Sequence, residues 1–131
     1  MIYLDSSALL KLLFEERESA ALDEWISARA GTPVVSSELA KVEVIRACRR
    51  LSTDVLPEAA ALLAELDLIP LAGGVLNVAA DVGGTSLRSL DAIHLASALS
   101  IREDLSAFVA YDLRLADGAS EAGLKTFRPG R

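Results

Sequence analysis

One cysteine, one histidine, one tryptophan and four prolines are all that 131 residues contain of those types, and aromatic residues make up only 5% of the chain. The lone thiol, Cys48, excludes an internal disulfide and any zinc site built from cysteines. Its place in an apolar helical pattern reads as a buried, inert side chain. The shortage of aromatic rings leaves few platforms on which single-stranded bases could stack. No uninterrupted apolar run reaches the roughly 18 residues of a membrane-spanning helix. The most apolar region, residues 59–80, is broken by Glu65, Asp67, Pro70, Gly73 and Gly74. The N-terminus has no basic segment, and Asp5 falls where the apolar part of a signal peptide would be building. Linkers, low-complexity tracts and internal repeats are missing too. The expectation is a single domain over residues 1–131, cytoplasmic and without a membrane partner.

Positive charge is also scarce. Lys and Arg number 13 against 19 Asp and Glu, giving a net charge of −6 and a pI near 4.7. That balance argues against a protein that coats nucleic acid through a broad cationic surface. It leaves room for a carboxylate-rich site beside a local basic strip.

What the chain has in excess is apolar surface: 52% hydrophobic residues and a mean hydropathy of +0.37. Such a composition belongs to a core covered on both faces, or to a surface that a partner covers. The apolar segments alternate in kind. Ile2–Asp5, Pro33–Ser36, Leu68–Leu71, Ala107–Tyr111 and Leu124–Phe127 read as strands, with Pro70 placing the third at an edge. Helical spacing follows Ser6 or Ser7 as cap, through Leu9, Leu10, Leu12 and Leu13, and a polar break at residues 15–18 ends it. Further helices are predicted over Ser19–Ala30, from the Ser37 cap to about Arg50, from Pro57 through Leu66, over Val75–Val82 and over Ser89–Ile101. Leu113–Ala116 reads as a single turn. Strands alternating with helices imply an α/β fold, a parallel sheet of about five strands with helices on both faces. Sheets of this kind bind ligands at the carboxyl ends of their strands.

Four acids interrupt these apolar elements: Asp5 and Asp112 end strands, while Glu43 and Asp91 intrude on helices. A buried charge is costly unless it is paired or holds a cation. Each acid has an ordinary reading. Asp5 could cap the helix that follows it, Glu43 could pair with Arg46 or Arg50, Asp91 could favour a helix dipole, and Asp112 could cap a turn. Together they invite a different one. Two carboxylates about 4 Å apart repel by roughly 4 kcal/mol at an effective dielectric near 20, which a shared divalent cation relieves. Mg2+ or Mn2+ prefers such oxygen ligands and can activate water for attack on a phosphodiester.

Four segments carry a resemblance: residues 1–12 (MIYLDSSALLKL), 36–47 (SSELAKVEVIRA), 87–98 (LRSLDAIHLASA) and 109–116 (VAYDLRLA). In their order and spacing, nearly end to end, the chain resembles the PIN-domain family and its VapC-type toxins. The resemblance implies a three-layer α/β/α fold and a Mg2+- or Mn2+-dependent endoribonuclease. Such a toxin cuts RNA, often tRNA or rRNA, inhibits translation and is silenced by a cognate antitoxin. By position, Asp5 and Asp91 would be the main metal ligands, with Asp112 completing the pocket directly or through water. Glu43 would act through water or orient the attacking water, and Ser7 would hold a water beside the ion or simply cap its helix. Ala110 and Leu113 depart from the family's usual residues around the fourth acid, so Asp117 stands as a reserve ligand or a solvated loop acid. His94 shares a helix face with Asp91 and is either a packed core residue or a site neighbour.

Arg46, Arg49 and Arg50 fall at helical spacing beside Glu43 and are candidates for a strip that binds an RNA backbone, with Arg88 and Lys11 as further candidates. Leu9, Leu10, Leu12, Leu13 and Phe14, with Leu22, Trp25 and Ile26, are either ordinary core or a groove for an antitoxin peptide, with homodimerisation elsewhere. A phosphoacceptor receiver fits poorly, because only one acid follows the first strand and no aspartate ends Leu68–Leu71. A non-catalytic relative would lack one of the four acids. A PIN nuclease of RNA or DNA processing outside a toxin pair remains the alternative.

Overall fold

The computed structural model describes residues 1–131. Its strands are β1 (Ile2–Leu4), β2 (Val34–Ser37), β3 (Asp67–Ile69), β4 (Ala107–Val109) and β5 (Thr126–Phe127). They form one fully parallel sheet in the order β3-β2-β1-β4-β5. The helices are α1 (Ser6–Leu13), α2 (Ser19–Ser27), α3 (Glu38–Leu51), α4 (Leu56–Glu65), α5 (Gly73–Asp81), α6 (Ser89–Leu99) and α7 (Leu113–Glu121), with a 3-10 turn at Thr53–Val55. This is the expected α/β architecture, and β3 with its following Pro70 does lie at an edge.

Period-two alternation in the central strands builds two cores. Ile2, Leu4, Ala107 and Val109 face a layer formed by α1, α2, α3 and α4, where Leu9, Leu22, Val44, Cys48 and Leu63 are buried. Tyr3, Val35 and Phe108 face the opposite layer, where Leu95 and Ala98 of α6 meet Leu115 and Ala119 of α7. Helix α5 packs chiefly on α6. Burial pushes the Cys48 thiol up from its ordinary range, as expected of a free cysteine in an apolar setting.

The chain leaves β1 for α1 on one face and leaves β4 for α7 on the other, although the two strands are neighbours. The two connections therefore diverge and open a crevice at the carboxyl edge of the sheet, where parallel α/β folds bind ligands.

The structure decides three local readings. The cap of α1 is Asp5, not a serine: its carboxylate accepts from the Ala8 amide at 3.0 Å. Leu113–Ala116 is not an isolated turn but the start of α7, which runs to Glu121 because Asp112 caps it and Leu115, Ala116 and Ala119 bury one side. The early leucine set follows its ordinary-core reading for the most part. Leu9 is buried, and Leu10, Leu12, Leu13 and Phe14 pack partly covered against it. The large apolar side chains that stand exposed lie elsewhere: Val42, Leu51, Leu76, Val78, Leu90 and Leu113.

The C-terminal segment is strapped onto α2. The Tyr111 hydroxyl donates to the Pro129 carbonyl at 2.8 Å. Gly130 has φ +90° and passes so close to Glu18 and Ala21 that an added Cβ would lie 3.1 Å from the Ala21 Cβ. Beneath the strap, Lys11 Nζ is 2.9 Å from Glu18 and 4.7 Å from the centre of the Tyr111 ring, with Arg131 Nε 3.7 Å from Glu18 on the other side. The Lys11 ammonium beside it holds the Glu18 carboxyl below its usual range. An acid depressed in the folded state adds stability above its unfolded pKa and loses it as pH falls through the folded value. Glu18→Gln should therefore lower Tm at pH 7. The gap to wild type should close as the pH drops below 4.5, the ordinary glutamate value, in melts followed by circular dichroism.

Candidate active site

Asp5 follows β1 and is buried, at 4% exposure. Its Oδ1 accepts from the Ser7 hydroxyl at 2.7 Å and from the Ala8 amide at 3.0 Å, while Oδ2 has no protein donor. Ser7 in turn accepts from the Tyr111 amide at 3.2 Å and so ties the start of α1 to the segment after β4. Ser7 therefore braces Asp5 and bridges the two strand ends. Burial raises the Asp5 pKa; the nearby His94 and these hydrogen bonds oppose the rise, and the charge of Asp91 adds to it.

Asp91 lies in the first turn of α6, partly buried. Burial raises its pKa, and Asp112 and Glu43 raise it further. It accepts no hydrogen bond from the protein. Asp112 is exposed after β4; its Oδ1 accepts from the Leu115 amide at 3.1 Å. Glu43 sits half-buried on α3. Its Oε1 accepts from the Ser6 hydroxyl at 2.6 Å and lies 2.7 Å from His94 Nε2. Burial pushes the Glu43 carboxyl up, but the hydrogen bonds from His94 and Ser6 outweigh it, and the group ends below its usual range.

The four acids are thus neighbours, with Asp91 in electrostatic reach of the other three. They do not form a closed cage: no three acid or imidazole side chains stand close enough to hold an ion as they lie. Mutual repulsion acts against closer approach. Two observations fit a hard divalent cation nonetheless. Asp5, Glu43 and Asp112 each commit one carboxylate oxygen to protein donors and leave the other without one. No lysine or arginine forms an ion pair with any of the four acids. Glu43 in particular pairs with neither Arg46 nor Arg50.

His94 is both of the things its sequence position suggested. It is a packed residue, 2% exposed, and it touches the site through Glu43. On its other side Nδ1 lies 2.6 Å from the hydroxyl of Tyr3. Burial pushes the Tyr3 hydroxyl well above its ordinary pKa, so it keeps its proton. Tyr3 and Ser6 escape a reading of the sequence for acids, because each looks like an ordinary strand or helix-start residue.

The remaining candidates divide. Arg46, Arg49 and Arg50 are exposed along α3, and Arg88 is exposed at the start of α6. Lys11 is not available in the same way, since Glu16, Glu18 and the Tyr111 ring enclose it. Asp117 lies exposed on α7 rather than in a loop.

Comparison with known proteins identifies the family and the fold. The family model of the PIN domain matches residues 2–120. The chain is similar to ribonuclease VapC47 of Mycobacterium tuberculosis (strain CDC 1551 / Oshkosh), 44% identical over 99% of this chain and 98% of that protein. It is similar also to ribonuclease VapC35 of Mycobacterium tuberculosis (strain ATCC 25618 / H37Rv), 41% identical over 100% of this chain and 98% of that protein. Among solved structures, the crystal structure of Mycobacterium tuberculosis VapC20, a sarcin–ricin loop cleaving toxin, shares the fold. It superposes with a TM-score of 0.76 at 18% identity, covering 98% of this chain and 100% of that one.

Asparagine caps a helix as well as aspartate does. Metal-free Asp5→Asn should therefore melt at or above the wild-type temperature, since it keeps the cap and loses a buried charge. Saturating Mn2+ should raise the Tm of wild type, where ligand at 100 times its Kd adds about 2.7 kcal/mol. The rise should be largely lost in the variant, as read by differential scanning fluorimetry.

Proposed function

Because the chain belongs to the PIN-domain family and stands among its VapC ribonucleases, we propose that it is a Mg2+- or Mn2+-dependent endoribonuclease, the toxin of a toxin–antitoxin pair. Its targets are tRNA or rRNA. It works in the cytoplasm and inhibits translation until an antitoxin neutralises it. The observation that carries the reading is the set of acids at the β1/β4 crevice, with open carboxylate oxygens and no lysine or arginine paired to them.

Asp5 and Asp91 would hold the ion, with Asp112 completing the pocket. When bound, the ion supplies positive charge to the phosphate and lowers the pKa of water to give a nucleophile near neutral pH. Glu43 is held at one oxygen by Ser6 and His94, which leaves the other to accept a proton from the attacking water or to orient it. Ser7 and the Ala8 amide keep Asp5 from rotating away. The exposed Arg46, Arg49, Arg50 and Arg88 bind the RNA backbone and offset the net negative charge of the chain near the site.

Two surfaces support the protein partners. An apolar cavity of about 230 Å3 lies among Leu4, Leu12, Ile26, Val34, Leu62 and Leu66. It suits an apolar anchor of an antitoxin peptide. The exposed Val42, Leu76, Val78, Leu90 and Leu113 favour a homodimer that covers them. No helix is long and apolar enough to cross a membrane.

EDTA should abolish cleavage of total tRNA and rRNA, and Mn2+ should restore it. Asp5→Asn should remain inactive in excess Mn2+. Cleavage that persists in EDTA, or a wild-type rate from Asp5→Asn, would overturn the mechanism. Arg49→Ala should weaken RNA binding by the inactive Asp5→Asn protein and flatten its salt dependence by about one unit of log–log slope.

A further inference from the structure

Glu43 carries a long side chain, 26% exposed, on the rim of the crevice. Left free, such a carboxylate samples several rotamers. Here it does not, because three elements fix it. Ser6 from α1 and His94 from α6 both meet Oε1, at 2.6 and 2.7 Å, and stand 3.3 Å from each other. Behind His94 stands Tyr3 of β1, wholly buried and stacked on Phe108 at 5.2 Å between centroids. Its ring meets the imidazole edge-on, and its hydroxyl lies 2.6 Å from Nδ1.

The chemistry of imidazole orders this chain of contacts. When the Tyr3 hydroxyl donates to Nδ1, the ring proton resides on Nε2 and points at Glu43. In the other tautomer a bare nitrogen lone pair would face the carboxylate and repel it. A partner on the far nitrogen thus selects what the near nitrogen offers. Simple packing would require neither hydroxyl.

We propose that Tyr3 and His94 are positioning residues for Glu43. Tyr3 selects the tautomer of His94; His94 and Ser6 then clamp Oε1, and Oε2 is the oxygen turned to substrate. The assignment rests on the ribonuclease reading and deepens it.

His94 is the only histidine in the chain. The imidazole 15N spectrum of untagged, metal-free protein therefore reports this residue alone. At a pH high enough to leave the ring neutral, wild type should show a protonated Nε2 and an unprotonated Nδ1, and Tyr3→Phe should show a mixture of tautomers. Tyr3→Phe keeps the stacked ring and removes only the hydroxyl. Its kcat for Mn2+-supported RNA cleavage should fall ~10-fold or more, the usual cost of losing a partner behind a ligating group. Its KM should stay within about threefold. His94→Gln keeps an N–H donor towards Glu43 and should cleave faster than His94→Leu, although leucine suits the apolar surroundings better. A single unchanged tautomer in Tyr3→Phe, a wild-type kcat in that variant, or a His94→Leu enzyme as active as His94→Gln would overturn the proposal. Wild-type protein that cleaves no RNA with Mn2+ would take down the ribonuclease reading as well. Wild-type cleavage beside an equally active Tyr3→Phe would take down the positioning role alone.

Discussion

A carboxylate kept out of water at the end of β1 imposes the conditions that the rest of the molecule meets. Asp5 is nearly inaccessible, and burial disfavours its charge. The protein answers with the Ser7 hydroxyl and the Ala8 amide on a single oxygen. That arrangement also stops the strand, starts α1 and leaves Ser7 placed to receive the Tyr111 amide from across the crevice. One buried charge thereby couples a strand end, a helix start and the neighbouring strand connection. The remaining oxygen is left without a protein donor.

The other acids extend the same logic with different degrees of exposure. Asp112 is solvated and serves α7 as a cap, so its charge is inexpensive. Asp91 is partly covered and feels Asp112 and Glu43. Glu43 alone is drawn below its ordinary pKa, because two donors meet one of its oxygens. Two carboxyls raised by burial thus stand beside one that its donors draw down. The sheet topology supplies the place for them, since between β1 and β4 the outgoing connections part to opposite faces.

The strands and most helices could be read from periodicity. Ile2, Leu4 and Tyr3 alternate as a two-sided strand should, and the α3 and α6 patterns carry their helical spacing into the structure. α7 was harder to see. Asp117, Gly118 and Ser120 are weak helix formers, and burial of Leu115, Ala116 and Ala119 overrides them. Lys11 looked like a free cation but lies between Glu16, Glu18 and an aromatic ring, two of which are close in sequence and one far away. The early leucines looked like surplus apolar surface, yet four helices stack on that face of the sheet and cover much of it.

Local order along the chain was enough for the alternation of elements, the acids that interrupt them and the family to which they belong, because periodicity, capping and motif spacing depend on near neighbours. The partner of each acid was not open to that reading. Glu43 had arginines one turn away and instead meets a histidine 51 residues on, while that histidine meets a tyrosine 91 residues back. Those contacts exist only because β1, α3 and α6 are brought to one edge of the sheet, and no nearest-neighbour pattern encodes which side chains will face one another there.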